Sequence, residues 1–255
     1  MGETIQGRSI RHATIRNYVN AAAKLHRDRD LPSPYGADTD YITLVLKAVK
    51  KYEKQPNRRD MIHDEMIHHM EKQRRAHNHD SMEAALLDWI YLGRFVGYRS
   101  IEWCQQHHHK FQTIENRLWT GPTCYAFINE DFQFFTSDKQ PIYDKTNLTW
   151  DSIGYVTIRF RKQKNNRNYE VVLYFRDTVN PAFCPVHAAL RICQRAARLG
   201  VPPDEPLGVY FSTQGRYAQQ RCYITNHQVA TFLQATATVV FKLKATDPIL
   251  SRWSA

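Results

Sequence analysis

The chain has 255 residues, enough for one or two domains with a sizeable core. Its 35 Lys and Arg against 25 Asp and Glu give a net charge of +10 and a pI near 9.4, a balance that favours a polyanionic partner, nucleic acid ahead of an anionic membrane surface. No apolar run approaches the ~18 residues of a membrane span, the N-terminus MGETIQGRSIRH has no signal-peptide core, and Gln6 stands where a myristoylation signal needs Ser or Thr.

The N-terminal third reads as helical and polar. Ile10, Ile15, Tyr18, Val19, Ala22 and Leu25 repeat at helical spacing, and Tyr41, Leu44, Val45, Val49 and Tyr52 do so again after the loop Leu31-Pro32-Ser33-Pro34-Tyr35-Gly36. Two such helices make a thin domain, expected over residues 1–57. The basic, proline-marked run from Lys51 to Arg59 follows. Its cations, Arg58 and Arg59 among them, either track a phosphate backbone or form a solvated charge run.

Histidines come next. His63, His68 and His69 surround Glu65 without the His-Glu-x-x-His order of a zinc helix, and His107-His108-His109 is contiguous, so the side chains diverge on any regular element. No metal site or cofactor is expected, and the histidines read as polar surface. Cys104, Cys124, Cys184, Cys193 and Cys222 are odd in number and scattered, which suits a reducing compartment, nuclear or cytoplasmic, and encodes neither a disulfide framework nor a zinc ribbon.

Asp80 with Glu83 reads as a capping box, and Met82, Leu86, Trp89, Ile90, Gly93 and Val96 then mark a strongly apolar helix that Gly97 can end in the left-handed conformation. Arg99 sits just past that end. Its partner is either an external phosphate or Glu102, three residues on, which can hold the guanidinium by a bidentate pair. Beyond Arg99 the composition becomes strand-like. Tyr125-Ala126-Phe127-Ile128 and Phe132-Gln133-Phe134-Phe135 are short aromatic runs. Val156, Ile158 and Phe160 then alternate with Tyr155, Thr157, Arg159 and Arg161, while Val171, Leu173 and Phe175 alternate with Glu170, Val172 and Tyr174. This predicts a β-hairpin with a cationic tip, carrying Arg161, Lys162, Lys164 and Arg167. Such a ribbon can follow a duplex groove, although edge strands also carry cations merely to prevent aggregation. The remainder reads as helical. Pro185 opens one helix with Val186, Ala189, Leu190, Cys193 and Ala197 on its apolar face, and Asn226 caps another with Val229, Phe232, Leu233 and Val240 inward.

Four features in this order are Gly97-Tyr98-Arg99-Ser100-Ile101-Glu102 after an apolar helix, the lysine-tipped hairpin, the Cys184-Pro185-Val186 helix start and the closing Leu250-Ser251-Arg252-Trp253-Ser254. Together they resemble the catalytic domain of tyrosine recombinases, the phage-integrase family, in its eukaryotic mobile-element form. The resemblance covers roughly residues 8–255, with the N-terminal helices similar to part of the family's core-binding domain. It implies a mixed α+β, mainly helical fold: the small helical domain, then a catalytic-domain-like region over 58–255 that has a short antiparallel sheet and lacks its C-terminal part.

The resemblance further implies that Arg99 is the family's first active-site arginine, that Glu102 supports it, and that Lys164 is the hairpin lysine, or Lys162 if the register differs by two. The family cleaves duplex DNA without metal through a tyrosine that becomes a covalent 3′-phosphotyrosyl adduct. That tyrosine follows a His-x-x-Arg box after a segment like Trp253-Ser254-Ala255, and no such box follows the hairpin in this sequence. The expectation is a DNA-binding fragment of a tyrosine recombinase, assembling as a homo-oligomer on double-stranded DNA and unable to cleave a strand by itself. A non-enzymatic DNA-binding regulator and a nucleic-acid-independent interaction module are the other two readings.

Overall fold

Apolar residues at three- and four-residue spacing resolve into six α-helices among the described residues, and alternating segments into six short strands. The computed structural model describes residues 12–52, 61–74, 77–105, 125–163, 168–213, 218–244, 246–247 and 249–250. The chain divides into two compact units, Met1–Arg58 and Arg59–Ala255.

The first unit is a pair of helices, α1 (His12–Arg27) and α2 (Thr39–Tyr52). Ile15, Val19 and Ala22 of α1 and Ile42, Leu46 and Val49 of α2 are half-buried, and the Tyr35 hydroxyl donates to the Val19 carbonyl at 2.7 Å. No residue of either helix is fully buried, and Tyr18, Tyr41, Leu44 and Tyr52, which mark the helices in the sequence, stay exposed. Two helices can shield only one narrow strip of each other.

The second unit holds the core. Its helices are α3 (Asp64–Arg74), α4 (Met82–Val96), α5 (Pro185–Arg198) and α6 (Asn226–Val240). The strands β1 (Phe132–Phe135), β2 (Pro141–Ile142), β3 (Tyr155–Arg159) and β4 (Val171–Phe175) form one antiparallel sheet in the order β2-β1-β3-β4, while β5 (Val209–Ser212) and β6 (Gln220–Tyr223) form a separate hairpin. The fold is thus mixed α+β with a small antiparallel sheet. No helix among the described residues is long and apolar enough to cross a membrane.

Several local expectations are corrected. His63 and His68 are exposed, as read, and His69 is half-buried, but the segment that carries them enters α3, whose Met66, Ile67 and Met70 are core residues. His63 and His68 pack edge-on against Phe241 and Phe183 at 5.3 and 5.0 Å between ring centres. The N-cap of α4 is Ser81, whose hydroxyl accepts from the Ala84 N–H, rather than Asp80, which pairs with Arg198. Thr225, not Asn226, caps α6 in a reciprocal box with Gln228. Tyr125 to Ile128 is irregular rather than a strand, and the stretch between α5 and α6 is the β5–β6 hairpin rather than helix.

On β3 the alternation buries Val156 and Ile158 as read. On β4 the faces are exchanged. Register pairs Val172 with Ile158 and Tyr174 with Val156, and directly opposed residues share a face, so Val172 and Tyr174 turn inward while Val171, Leu173 and Phe175 are exposed.

One close approach fixes where the turn after α4 lies against the start of β5. A Cβ at Gly208 would stand 2.0 Å from the Trp103 carbonyl oxygen, which is backbone and cannot swing aside. Gly208→Ala is therefore expected to cost about 1–3 kcal/mol, seen as a lower urea midpoint at unchanged m-value.

Candidate nucleic-acid interface

Arg99 stands on a turn whose every step has a local cause. Gly97 adopts the left-handed conformation (φ 68°, ψ 26°) and its N–H bonds the Gly93 carbonyl at 2.9 Å, ending α4. Tyr98 folds back over the helix: its hydroxyl donates to the Trp89 carbonyl, and its ring meets Trp89, Trp103 and Phe127 edge-on at 5.6–5.9 Å. Extended backbone at Arg99 then leads into a single 3₁₀ turn, Ser100–Glu102.

Glu102 holds this turn from beneath. Its Oε2 accepts the Arg99 backbone N–H at 2.7 Å, and its side chain is almost wholly buried. Burial pushes its carboxyl above the usual range, with the Arg99 N–H and charge pulling the other way. The expected bidentate grip on the guanidinium is not formed. Oε1 lies 3.8 Å from Arg99 Nη1, because the other carboxylate oxygen is committed to the backbone. The Arg99 side chain is 48 % exposed and its guanidinium has a long contact in place of a geometric fork.

The turn is tied to the rest of the unit by backbone hydrogen bonds. The Phe127 N–H donates to Glu102 O at 2.8 Å, Leu207 N–H to Phe127 O at 3.0 Å, and Gln105 N–H to Ile224 O at 2.7 Å. Phe127 also receives the Phe160 ring at 5.4 Å, so the residues preceding Arg99 and Arg161 pack on one aromatic side chain. Two residues before Phe127, the Tyr125 ring lies under Lys162 Nζ, 5.2 Å from its centre. Arg99 and the root of the β3–β4 loop therefore border the same short segment.

At that root, Arg159 donates to Asp131 at 3.1 Å and to Glu130 at 2.7 Å, and Arg161 Nε lies 4.0 Å from Asp131. Burial pushes the Asp131 carboxyl up, against the Ile128 N–H and both arginines. Arg161 thus spends part of its charge on an internal acid. Gln163 N–H closes the loop onto the Asn168 side chain at 2.8 Å. Lys164 and Arg167, and likewise Arg58 and Arg59, lie outside the described residues.

Gly97 offers a local test of how much the turn matters. Nothing lies within 4 Å of the place a methyl group would take there, so Gly97→Ala meets backbone strain alone. We expect a loss of about 1–2 kcal/mol by thermal unfolding, and a smaller loss for Gly97→Asn, which tolerates the left-handed region.

The sequence reading missed one cluster. Asp88 is fully buried on α4 and accepts from Arg191 Nε at 2.5 Å and from Arg195 Nη2 at 2.5 Å, both on α5. Arg191 and Arg195 reach across from α5 to α4, and Ala197, in the last turn of α5, is exposed instead of inward. The available signal was an acid set inside an otherwise apolar helix, with arginines four apart on a later one. His187, on the same helix, packs on Trp150 at 4.7 Å and bonds the Pro181 carbonyl through Nδ1 at 3.0 Å. Burial, then the neighbouring Arg191, pushes its pKa below the ordinary value. Among the described residues no group of three or more His, Cys, Asp or Glu could hold a metal ion. No protein-family model and no curated protein matches the chain.

Proposed function

We propose that this chain binds duplex DNA as a tyrosine-recombinase-type fragment, contacting backbone phosphates through Arg99 and the root of the β3–β4 hairpin, and that it does not cut the strand by itself. The observation that carries the reading is Arg99. Its backbone is fixed by Glu102 and its guanidinium is half exposed with a 3.8 Å contact to that acid, so the group is positioned but not consumed. A preorganised guanidinium is the donor that a phosphodiester accepts best, since the two geometries match. Lys162 adds a second cation beside the same segment, held over Tyr125. The net charge of +10 supplies the long-range attraction.

In a recombinase-type site such an arginine stabilises charge on the non-bridging phosphate oxygens, and a hairpin lysine protonates the leaving oxygen. Here both groups are proposed to act in binding. No His-x-x-Arg box follows the hairpin in the sequence, and the proposal is confined to binding.

The test is fluorescence anisotropy with a labelled duplex, together with a denaturing gel for covalent adducts. Saturable duplex binding without an adduct, weakened in Arg99→Ala, is the expected result. Binding untouched by Arg99→Ala but lost on substituting Lys162 favours the regulator reading. Absence of duplex binding at low salt overturns the proposal.

A further inference from the structure

Among the described residues the sheet order β2-β1-β3-β4 leaves one side of β4 unpaired. Its sequence, Val171-Val172-Leu173-Tyr174-Phe175, carries no Pro, Lys or Arg, the residues that blunt such an edge. The opposite edge is blunted, since β2 is two residues long and begins with Pro141. The bonds flanking β4 fix which backbone groups face the open side. The Arg176 N–H donates to Gly154 O at 2.9 Å and the Phe160 N–H to Glu170 O at 2.8 Å, so Val172 and Tyr174 are the residues bonded to β3. The N–H and C=O groups of Val171, Leu173 and Phe175 therefore point outward along the edge. The same three side chains are 55 %, 46 % and 71 % exposed. Phe175 ends a row of rings on the outer face, 5.7 Å from Tyr155, which stacks on Phe135 at 4.6 Å.

We infer that β4 pairs antiparallel with β4 of a second copy of this chain, about a two-fold axis at Leu173, joining the two sheets into one. The strand's own order selects this occupant. Centred on Leu173, antiparallel pairing sets Leu173 opposite itself, Val171 opposite Phe175 of the second copy, and the exposed Glu170 opposite Arg176 of the second copy. Every outward apolar side chain then meets an apolar one, the flanking charges are complementary, and the outward backbone groups exchange about six hydrogen bonds. Among the described residues Arg176 spends only Nη1, on the Trp150 and Asp151 carbonyls at 3.0 Å. Both ends of the edge are closed, which fixes the register. Tyr169 has φ at 62° and gives its N–H to Phe160 O, and the Asp177 N–H goes to Cys184 Sγ at 3.2 Å. Only the Leu173-centred pairing uses the whole edge between them. A foreign strand could use the same backbone groups, but nothing would then require β4 to match itself. The pairing is separate from the DNA reading and uses neither Arg99 nor Lys162.

Sedimentation equilibrium of the whole chain without DNA tests the inference. A concentration-dependent dimer is expected. It should persist at about 1 M NaCl, where a Debye length of about 3 Å screens the repulsion between two chains of charge +10. Leu173→Lys sets two ammonium groups opposite each other at the axis and should abolish the dimer. Its far-UV circular dichroism and Tm should match the native chain, because the side chain at this position is already exposed. Cysteine crosslinking with copper phenanthroline, read above the background of the native chain, reports the register. Leu173→Cys should crosslink to itself, since directly opposed residues lie about 5.5 Å apart at Cα, within disulfide reach. Val171→Cys and Phe175→Cys should crosslink only when the two variants are mixed. A native chain that stays monomeric, a dimer that a folded Leu173→Lys leaves intact, a dimer formed only with DNA, or Val171→Cys crosslinking to itself overturns the inference. Should Leu173→Lys fail to fold, the crosslinking pattern decides. No DNA is added, so failure of the DNA reading and failure of this one are distinguishable.

Discussion

Asp88→Ala should cost about 3–5 kcal/mol, the largest single-residue loss expected in this chain. The carboxylate is the common acceptor for Arg191 and Arg195, at 2.5 Å from each, and all three residues are nine-tenths or more buried. Removing it strands two guanidiniums in the interior, with only the His79 carbonyl left to Arg195, which donates to it at 3.0 Å. A typical domain has only about 5–15 kcal/mol in total, so urea unfolding should show a much lower midpoint or no folded baseline. Replacing all three together with apolar residues of similar volume should recover most of the loss, because a buried ion network and a well-packed apolar cluster are nearly equivalent in stability.

The same carboxylate sets the acid limit. Burial pushes the Asp88 pKa up, but the charges and hydrogen bonds of Arg191 and Arg195 outweigh it, and the folded value lies below the ordinary one. A depressed carboxylate contributes stability above its unfolded pKa of about 3.9 and loses it as pH falls through the folded value. Glu102 and Asp131 have the opposite sign. Their folded pKa values are raised, mainly by burial, so each bears a penalty at neutral pH that is relieved on acidification. His187, with its folded pKa lowered, costs stability as pH falls below the ordinary histidine value of about 6.5. This acts against the relief at Glu102 and Asp131, so the opposing changes partly offset each other down to about pH 4 and the steep fall comes below it. In Asp88→Asn that steep loss should be blunted.

Duplex affinity should fall by about 10³–10⁵ between 50 and 200 mM monovalent salt, if the interface neutralises about six to ten phosphates. The size of this effect follows from counterion release rather than from the strength of any one contact. Each cation placed on a phosphate displaces condensed counterions, and the logarithm of affinity falls linearly with the logarithm of salt. Arg99→Ala and Lys162→Ala should each reduce that slope by roughly one. Arg159→Ala should leave it nearly unchanged, because Arg159 is committed to Asp131 and Glu130. A flat salt dependence would remove the basis for the DNA reading.

Much of the fold was legible where a local rule had no competitor. The α4 pattern ends at Gly97 as its chemistry requires, with φ at 68°, and the β3–β4 hairpin forms from two alternating runs. Local rules failed where two neighbours offered the same chemistry. Asp80 and Ser81 can both cap α4, and the choice went to Ser81 because Asp80 meets Arg198 from 118 residues away. At α6 the miss has a local cause: Thr225 displaced Asn226 as the cap through its reciprocal box with Gln228, three residues on. The α3 segment was obscured by its histidines, two of which act as aromatic packing surfaces.

By itself the sequence determined the positive charge, the main helical periods, the hairpin and the place of Arg99 just past a glycine, because these depend on residues close in the chain. Only the tertiary structure decided that Glu102 grips the Arg99 backbone in place of its guanidinium, that β4 turns Val172 and Tyr174 inward, and that Asp88 meets Arg191 and Arg195 across α4 and α5. For β4 and Asp88 the reason is that only the packing of distant elements sets which partner or buried face is near enough to win. For Glu102 it is the single 3₁₀ turn, which brings one carboxylate oxygen onto the Arg99 N–H and leaves the other 3.8 Å from the guanidinium.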